Sequence, residues 1–430
     1  MLDPKMLREN PEEARKNFLK RGDENIVKTF DEWLEKDIEW RALKQGVDNL
    51  RAERNTVSEE IKLAKGKGDN AKFEQLMIRA KEIPAKLKEK EEFLKEIEQR
   101  TVSLLGKLPN LLDKDVPSGK GEKENKVVRK SGATKKPKFE LKHHGELAKE
   151  LEIAEFEDAV KISGTGFYYL KGDLALLDLA LQRLAIDLLL KKGFTLVQPP
   201  LMMNRKAYAG VTDLGVFEDV LYKIENEDLY LISTSEHPLV SMNTGRTFEA
   251  NEIKKPILLA GVSPCFRKEI GKHGLDERGF FRVHQFNKIE QVVICRPEDS
   301  KKVFGMLAKN QEELFKKLKI PYRIISLCSG EVGVVSSITF DLEGWSPREQ
   351  KYIELGSCSN CTTYQSAGLN IKYKKSDGTK EYAHTLNATM AATTRTLRAI
   401  IENYQTAKGT IKVPTALQKY MNGKKEIKKQ

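Results

Sequence analysis

The chain has 430 residues, enough for two or three domains and a large catalytic core. Lys and Arg number 75 against 63 Asp and Glu, and the resulting charge of +12 favours a polyanionic partner such as nucleic acid, although solubility alone would also explain it. The densely charged N-terminal stretch, the five cysteines and the lack of a long uncharged apolar run argue against a secreted or membrane-spanning protein, so the sequence predicts a cytoplasmic location.

The first predicted structure is a helical hairpin over about residues 31–100. Apolar residues recur there at heptad spacing on both sides of the turn-forming cluster Gly66-Lys67-Gly68-Asp69, with charged residues elsewhere. This pattern predicts two antiparallel helices packed along one narrow seam, each about 50 Å long at 1.5 Å per residue. Pro84, inside the second helix, predicts a kink or a local break.

The tip of this predicted arm is basic. A cationic end on a long arm is suited to binding a phosphate backbone at a distance, so residues 1–108 are predicted to form an RNA-binding domain. Coiled-coil oligomerisation is the alternative for the arm as a whole, and an ordinary solvated helix face is the alternative for any single lysine. The candidate RNA-binding residues are Lys62, Lys65, Lys67, Lys72 and Arg79.

Residues 109–138 are rich in Pro, Gly and Lys with little periodicity, and are predicted to be a linker. From residue 139 to residue 430 the composition becomes that of a globular catalytic domain. Within it, Leu174–Lys192 is predicted to be an amphipathic helix that ends at Gly193, and 194–197 a strand that leads into Pro199-Pro200.

Two segments near the middle of this domain have the alternation of paired antiparallel strands. Arg267 and Glu269 would share one face and point into a cleft. A polar, glycine-punctuated segment, 271–279, is predicted to be a mobile hairpin loop between them. Arginines beside a carboxylate and an aromatic ring suit a nucleotide, whereas a salt-bridged surface hairpin is the simpler alternative. The residues predicted to share the opposing face are Arg282, His284, Phe286, Lys288 and Glu290.

Three further segments carry candidate chemistry. Thr234-Ser235-Glu236 combines hydroxyls with a carboxylate, which suits an ammonium ligand or a simple helix cap. Glu354 and Ser357 have a spacing that suits one hard cation such as Mg²⁺. Arg395 follows a run of small residues that would permit close approach of a ligand, and Cys358 with Cys361 lacks the second pair that a structural zinc site needs, so no zinc is expected.

In this order the segments resemble class II aminoacyl-tRNA synthetases and, within that class, the seryl-tRNA synthetase family. The resemblance covers nearly the whole chain, with Gly193 to Pro200 as the first class motif, the Arg267 hairpin as the second and the Arg395 segment as the third. It implies an α+β fold: an N-terminal antiparallel coiled-coil arm that binds tRNA, and an antiparallel sheet flanked by helices. It also implies a homodimer with Pro200 at the interface.

The implied activity is ATP-dependent activation of L-serine to seryl-adenylate, followed by transfer to the 3′ end of tRNA(Ser). Mg²⁺ would accompany ATP, held by Glu354 and Ser357. Arg267, Glu269 and Arg395 are the implied catalytic residues. The implied ATP-binding residues are Arg267, Glu269, Arg282, Val283, Phe286, Glu354, Ser357 and Arg395, and the implied serine-binding residues are Thr234, Ser235, Glu236, Arg267, Glu290 and Thr389.

Some motif positions depart from the bacterial pattern. Ala388-Thr389-Met390, Gly356 and Ser235-Glu236-His237 resemble the eukaryotic cytosolic branch, but the long lysine-rich tail of many animal members is absent. Two alternative functions remain open at this point: an inactive RNA-binding paralogue that keeps the fold, and an amino-acid activator that loads a carrier protein instead of tRNA.

Overall fold

The computed structural model describes residues 1–269 and 279–429. The chain divides into two compact units. The arm unit comprises Pro4–Leu19 and Asp23–Leu108, and the sheet unit comprises Met1–Asp3, Lys20–Gly22 and the chain from Pro109 onward. The segment predicted to be a mobile loop lies outside the described residues except for Gly279.

Four helices form the arm unit: α1 (Pro4–Glu9), α2 (Pro11–Leu19), α3 (Glu24–Lys67) and α4 (Asn70–Gly106). Gly68 ends α3 in a left-handed conformation, and the Asp69 carboxylate caps α4 by accepting from the Lys72 backbone N–H at 3.1 Å. The predicted helical hairpin with its turn at this cluster is confirmed. Its helices are longer than predicted, since 44 and 37 residues extend about 66 Å and about 56 Å at 1.5 Å per residue.

A narrow apolar seam joins α3 to α4. Towards the turn it is built by Val57 and Ala64 from α3 and by Leu76 and Ile83 from α4. Of the kink or local break predicted at Pro84, the break does not occur, because α4 continues through it, whereas the kink stays a prediction. Ile83 and Leu87, on either side of Pro84, are buried in the seam. The free energy gained by burying them exceeds the cost of the one backbone hydrogen bond that a proline removes.

The sheet unit is an α+β structure, as predicted. Its helices are α5 (His144–Glu150), α6 (Glu157–Ser163), α7 (Gly172–Leu190), α8 (Arg205–Val211), α9 (Leu214–Phe217), α10 (Glu236–Ser241), α11 (Ser300–Leu318), α12 (Tyr364–Leu369), α13 (Thr393–Tyr404) and α14 (Thr415–Gln418). Its strands are β1 (Lys126–Ser131), β2 (Ala154–Glu155), β3 (Tyr169–Leu170), β4 (Thr195–Val197), β5 (Met202–Met203), β6 (Tyr230–Leu231), β7 (Thr247–Phe248), β8 (Ile257–Phe266), β9 (Gln285–Cys295), β10 (Tyr322–Ser326), β11 (Ile338–Ser346), β12 (Lys351–Thr362), β13 (Lys372–Lys374), β14 (Lys380–Tyr382), β15 (His384–Ala392), β16 (Ile411–Lys412) and β17 (Glu426–Ile427).

Among the described residues, eight strands form the main sheet in the order β1-β10-β11-β12-β15-β9-β8-β4. Neighbouring strands are antiparallel except β4 and β8, which run parallel. The amphipathic helix and the short strand predicted near residues 174–197 correspond to α7 and β4.

Strand β9 is buried on both sides. Ile289 and Val293 belong to the main core with α7, α11 and α13, whereas Val292 and Ile294 belong to a second core with α8, α10 and α12. Because side chains alternate along a strand, the even-numbered residues of β9 all face the second core and its surroundings. This is the face on which the candidate site lies.

The segment 109–138 contains more structure than a linker. Residues of β1 pair with β10 and form one edge of the main sheet. The strand was not predicted because it is exposed along most of its length and has no apolar face to produce alternation. Separately, no helix in the described parts of the chain is both long and apolar enough to cross a membrane.

The seam of the arm predicts a contrast between two neighbouring residues of α4. Leu76→Ala should destabilise the hairpin by about 2–4 kcal/mol because it empties a buried position, whereas Ile78→Ala, at a side chain 61% exposed, should change little. Thermal unfolding followed by circular dichroism at 222 nm measures both. Equal losses in the two variants would contradict a seam that depends on buried apolar contacts.

Candidate active site

A cleft of about 450 Å³ opens on the sheet beside the ends of β8 and β9. Its wall also takes residues from β12, β15, α10 and the start of α13. Most of the predicted site residues line it. Those on the wall are Thr234, Glu236, Arg267, Glu269, Val283, Phe286, Glu290, Glu354, Ser357, Thr389 and Arg395.

Two predicted residues do not line this cleft. The Ser235 side chain is fully buried, and the space for its hydroxyl exists because Gly261 has no Cβ, which would otherwise lie 2.4 Å from that oxygen. Arg282 lies beside the cleft and donates to Glu269 at 3.3 Å. Sequence spacing gives the order of these residues but not which way a side chain turns at the end of a strand.

The hairpin of β8 and β9 places the first arginine and its carboxylate. The paired strands end at Phe266 and Gln285, so Arg267 and Glu269 lie just beyond the strand, and Glu269 has a positive φ of 45°. The backbone N–H of Arg267 donates to the carbonyl of His284 at 2.9 Å. Both side chains therefore face the cleft without the regular strand that was predicted for them.

Cations and aromatic rings alternate on this side of the cleft. The Arg267 guanidinium carbon lies 5.3 Å from the ring centre of Phe286, and that of Arg395 lies 5.4 Å from the ring centre of Phe281. Arg395 also pairs with Glu354 at 2.8 Å. The arrangement offers positive charge for phosphate and flat apolar surfaces for a base.

The deepest part of the cleft holds charged groups that are almost fully buried. Lys288 donates to the Thr234 hydroxyl at 2.6 Å and pairs with Glu290 at 2.7 Å, and Thr389 donates to Glu290 at 3.2 Å. Glu236 lies in the same pocket and accepts from Gln365 at 2.8 Å. Buried charges are tolerated when each has a partner, and this pocket meets that condition through several reciprocal bonds.

The Glu236 carboxyl group has a pKa close to neutral pH. Burial and the nearby carboxylate of Glu290 raise the pKa of Glu236 to about 7, although Lys288 and the hydrogen bond from Gln365 oppose the rise. The Thr234 hydroxyl accepts from the Glu236 backbone N–H at 3.1 Å, so part of the cap alternative also holds. A helix cap and a ligand site are compatible here, because the hydrogen bond from the Glu236 backbone to Thr234 holds in place the residue whose carboxylate faces the pocket.

Sequence reasoning missed three residues here. Lys288 was placed on the right strand face but not assigned to the pocket, and Gln365 gave no local signal. Asp341 on β11 pairs in register with Ser357 on β12. Burial, then repulsion from the carboxylates of Glu354 and Glu343, raises the pKa of Asp341 well above its usual range, and Arg395 opposes this.

In the described parts of the chain, no group of three or more carboxylate, imidazole or thiol side chains is placed to hold a metal ion by itself. Asp341 lies near the carboxylates of Glu354 and Glu343, and Arg395 partly offsets their negative charge. For the cysteines the chemistry differs: Cys358 and Cys361 are buried free thiols, and their burial raises the pKa of each well above the usual range. A protonated thiol is a poor metal ligand.

In the arm unit, the five predicted RNA-binding residues are all exposed and lie on either side of the turn at Gly68. Lys62 pairs with Glu59 at 2.8 Å, and Arg79 pairs with Glu53 on the facing helix. Exposed pairs of this kind are weak in water, so these cations are available to a stronger anion.

Known proteins resemble this chain in sequence over its full length. The model of the seryl-tRNA synthetase N-terminal domain matches residues 1–112, and that of the class II tRNA synthetase core domain (G, H, P, S and T) matches residues 220–404. The serine–tRNA ligase of Methanocella arvoryzae is 49% identical over 98% of this chain and 99% of its own length. That of Pyrococcus horikoshii is 42% identical over 99% and 97%.

Solved structures agree with these relatives. Seryl-tRNA synthetase from Pyrococcus horikoshii complexed with ATP superposes with a TM-score of 0.93 at 41% identity, covering 100% of both chains. Cytoplasmic serine–tRNA ligase from Naegleria fowleri in complex with AMP has a TM-score of 0.85 at 36% identity, over 98% of this chain and 96% of its own. Both the fold and the sequence therefore show that the chain belongs to the seryl-tRNA synthetase family of class II aminoacyl-tRNA synthetases.

Proposed function

We propose that this chain activates L-serine with ATP to form seryl-adenylate and transfers the seryl group to the 3′ end of tRNA(Ser). The main support for this proposal is that one cleft combines an arginine-lined wall with a buried pocket of carboxylates and a lysine. The 42–49% full-length identity to serine–tRNA ligases supports the same activity.

ATP is proposed to bind along the arginine-lined wall. Arg267 and Glu269 hold the α-phosphate and the edge of the adenine, and Val283 contributes to the same wall. Phe286 and Arg395 enclose the adenine ring by stacking and cation–π attraction. Arg282 reaches the outer phosphates by exchanging its 3.3 Å bond to Glu269 for a more highly charged partner.

Serine is proposed to occupy the deep pocket. Glu236, Thr234 and Glu290 bind its ammonium group, and Arg267 binds its carboxylate. Thr389 and Glu290 take the serine hydroxyl, and a pocket built to hydrogen-bond a hydroxyl rejects alanine because its own groups would be left unpaired. Threonine is excluded by shape: a Cβ at Gly356 would already lie 3.0 Å from the Thr389 Cβ, so this wall has little free space.

The chemistry needs no protein nucleophile. A serine carboxylate oxygen attacks the α-phosphorus, the new O–P bond forms and the bond to the bridging oxygen of pyrophosphate breaks. A hydroxyl of the terminal tRNA adenosine then attacks the acyl carbon and releases AMP. Arg267 and Arg395 stabilise the negative charge that is redistributed in the first step, and their positions are fixed before substrate arrives.

Mg²⁺ is proposed to be held by Glu354 and Ser357, with Asp341 as a further carboxylate in the same cluster. When bound, the ion neutralises phosphate charge and orients the triphosphate. Glu354 and Ser357 both line the cleft, and this supports the assignment because Mg²⁺ is usually bound through one or two carboxylates together with substrate phosphates.

The domain roles follow from the same proposal. Residues 1–108 form the tRNA-binding domain and 139–430 carry the chemistry, while 109–138 connect them in sequence and contribute β1 to the main sheet. Lys62, Lys65, Lys67, Lys72 and Arg79 bind the tRNA backbone, where recognition is of shape and charge more than of sequence.

A homodimer and a cytoplasmic location are also proposed. Apolar side chains around Pro200 are exposed in the single chain, at 41% for Leu196, 39% for Leu201 and 43% for Met202, and a second copy would cover them. The five free thiols are in keeping with a reducing compartment.

Pyrophosphate exchange into ATP, run with each standard amino acid and no tRNA, tests the activation step. Exchange with serine is expected, and Arg267→Ala should lower its kcat/KM by about 10²–10³-fold through loss of a preorganised charge. Exchange with a different amino acid would reject the serine assignment. Tight tRNA binding without any exchange would instead establish an inactive RNA-binding paralogue.

Glu236 predicts a pH dependence of serine binding. Its folded pKa of about 7 lies above the ordinary value of 4.5, so the carboxylate that the ammonium group needs forms as pH rises through 7. The KM for serine should therefore fall between about pH 6 and about pH 8. Glu236→Gln should raise this KM by about tenfold or more and make it independent of pH over the same range. A pH dependence that persists in Glu236→Gln would assign it to another group.

Neutralising the tip of the arm should separate the two half-reactions. Changing Lys62, Lys65, Lys67 and Lys72 to Gln is expected to leave serine-dependent exchange unchanged while lowering kcat/KM for tRNA by about tenfold or more and reducing its salt dependence. The matched control changes four exposed lysines of the sheet unit, Lys408, Lys412, Lys425 and Lys428, to Gln. Equal losses in both variants would mean that net charge, and not the tip, attracts the tRNA.

A further inference from the structure

A buried histidine contacts the backbone beside the cleft. Phe281 lines the cleft, and Gly279 and Phe280 precede it in the chain. The backbone N–H of the intervening Phe280 donates to Nε2 of His144 at 3.1 Å. His144, at the start of α5, is fully buried, as is the Phe280 side chain, which packs against Phe156 and Tyr168.

The contact is as close as the backbone permits. Gly279 has a positive φ of 103°, and a Cβ there would lie 2.4 Å from Nε2 of His144. Glycine is therefore required at this position both for its conformation and for its missing side chain. The His144 ring therefore packs directly against the backbone of Gly279 and Phe280.

The second ring nitrogen faces a buried carboxylate but is too far from it for a hydrogen bond. Because Nε2 accepts, the proton of the neutral ring is on Nδ1, which faces a Glu402 oxygen at 3.6 Å. Glu402 is fully buried, accepts from Arg398 at 3.0 Å and accepts from the Ser346 hydroxyl. Burial disfavours the charge of Glu402, but the neighbouring His144 ring and the attraction of Arg398 prevail and hold its pKa at about 2.

Arg398, the partner of Glu402, contacts the Phe281 ring, which lines the cleft. The guanidinium carbon of Arg398 lies 4.4 Å from the ring centre of Phe281, and that of Arg395 lies 5.4 Å from it. Two contacts therefore fix the position of Phe281. The preceding residue, Phe280, is hydrogen-bonded to His144, and the Phe281 ring packs against Arg398. Arg395 is the residue proposed above to contact adenine.

We propose that His144 is a positioning residue for amino-acid activation: through the Phe280 N–H it holds Phe281 against Arg395, so that the Arg395 guanidinium is fixed where ATP binds. The inference rests on the proposed function. Nothing in the mechanism above uses His144, whose ring is separated from the cleft by Phe280 and Phe281.

A purely structural role makes different predictions. If His144 only stabilised the core, its loss would lower the melting temperature and leave the kinetic constants of the folded protein unchanged. A positioning role predicts a loss specific to ATP, because Phe281 and Arg395 lie on the ATP side of the cleft and not in the serine pocket.

Three substitutions separate these roles. His144→Leu removes the hydrogen bond at Nε2 together with the polar Nδ1 atom, His144→Gln places an amide oxygen where Nε2 accepts, and His144→Asn places its amide near Nδ1 instead. In serine-dependent pyrophosphate exchange, Leu and Asn should raise the KM for ATP by about 5- to 100-fold, the range for an unpaired buried N–H, with little change in the KM for serine. Gln should stay within about threefold of wild type.

The control is Tyr322→Phe, which removes a buried hydroxyl bond to Glu312 of 3.0 Å at a residue that does not line the cleft. It should lower the melting temperature without changing the KM for ATP. Phe281→Ala gives the second test: if His144 acts through this ring, His144→Leu should add little to the KM for ATP in the Phe281→Ala background.

Equal effects of Leu, Asn and Gln, or additive effects with Phe281→Ala, would overturn the inference. Calorimetric titration with ATP on the same variants provides a readout that does not depend on exchange. If the wild type binds ATP but exchanges with no amino acid, the proposed function fails while the binding series still decides the role of His144. If the wild type does not bind ATP, both fail.

Discussion

The alternation of side chains on β9 is the constraint on which the site depends. This strand lies inside the main sheet between two apolar cores, and each core takes every second residue from it. Phe286, Lys288 and Glu290 consequently share one face in a fixed order, from the outer wall of the cleft to its deepest pocket. A shift of one residue in the register of β8 and β9 would expose both cores and remove all three from the cleft at once.

The buried charges in this pocket illustrate how function and stability oppose each other. Burying Lys288 and Glu290 together costs desolvation that their 2.7 Å contact offsets only because Thr234 and Thr389 bond to the same pair. Glu236 places a second carboxylate beside Glu290, and Lys288 and Arg267 offset this only in part, since the pKa of Glu236 stays raised to about 7. A cationic ligand bound beside the two carboxylates would favour their charged forms and would stabilise the folded protein.

Sequence reasoning was most accurate where a local pattern determines the structure. The heptad seam and the Gly68 turn predicted the hairpin, and Arg267, Phe286, Glu290 and Arg395 lie together because their segments have strong strand and helix signals. Asp341, Gln365 and His144 escaped notice because their surroundings come from distant segments. Local patterns also failed where neighbours decide the outcome. The direction of the Ser235 side chain, the continuity of the helix through Pro84 and the pairing of β1 at an exposed edge all depend on contacts with residues distant in the sequence.

The two edges of the main sheet differ in charge and in the regularity of their pairing, although both expose apolar side chains. Strand β4 ends one side and exposes Leu196, and strand β1 ends the other and exposes Val127 and Val128 to a similar extent. Strand β1 also carries Lys126 and Lys130, and a register shift interrupts its pairing between Val127 and Arg129. An edge strand offers free backbone groups to any other strand, and charged side chains with an irregular ladder discourage such addition. The lysines and the irregular ladder of β1 thus protect this edge from open-ended addition of further strands, even though two of its valines are exposed.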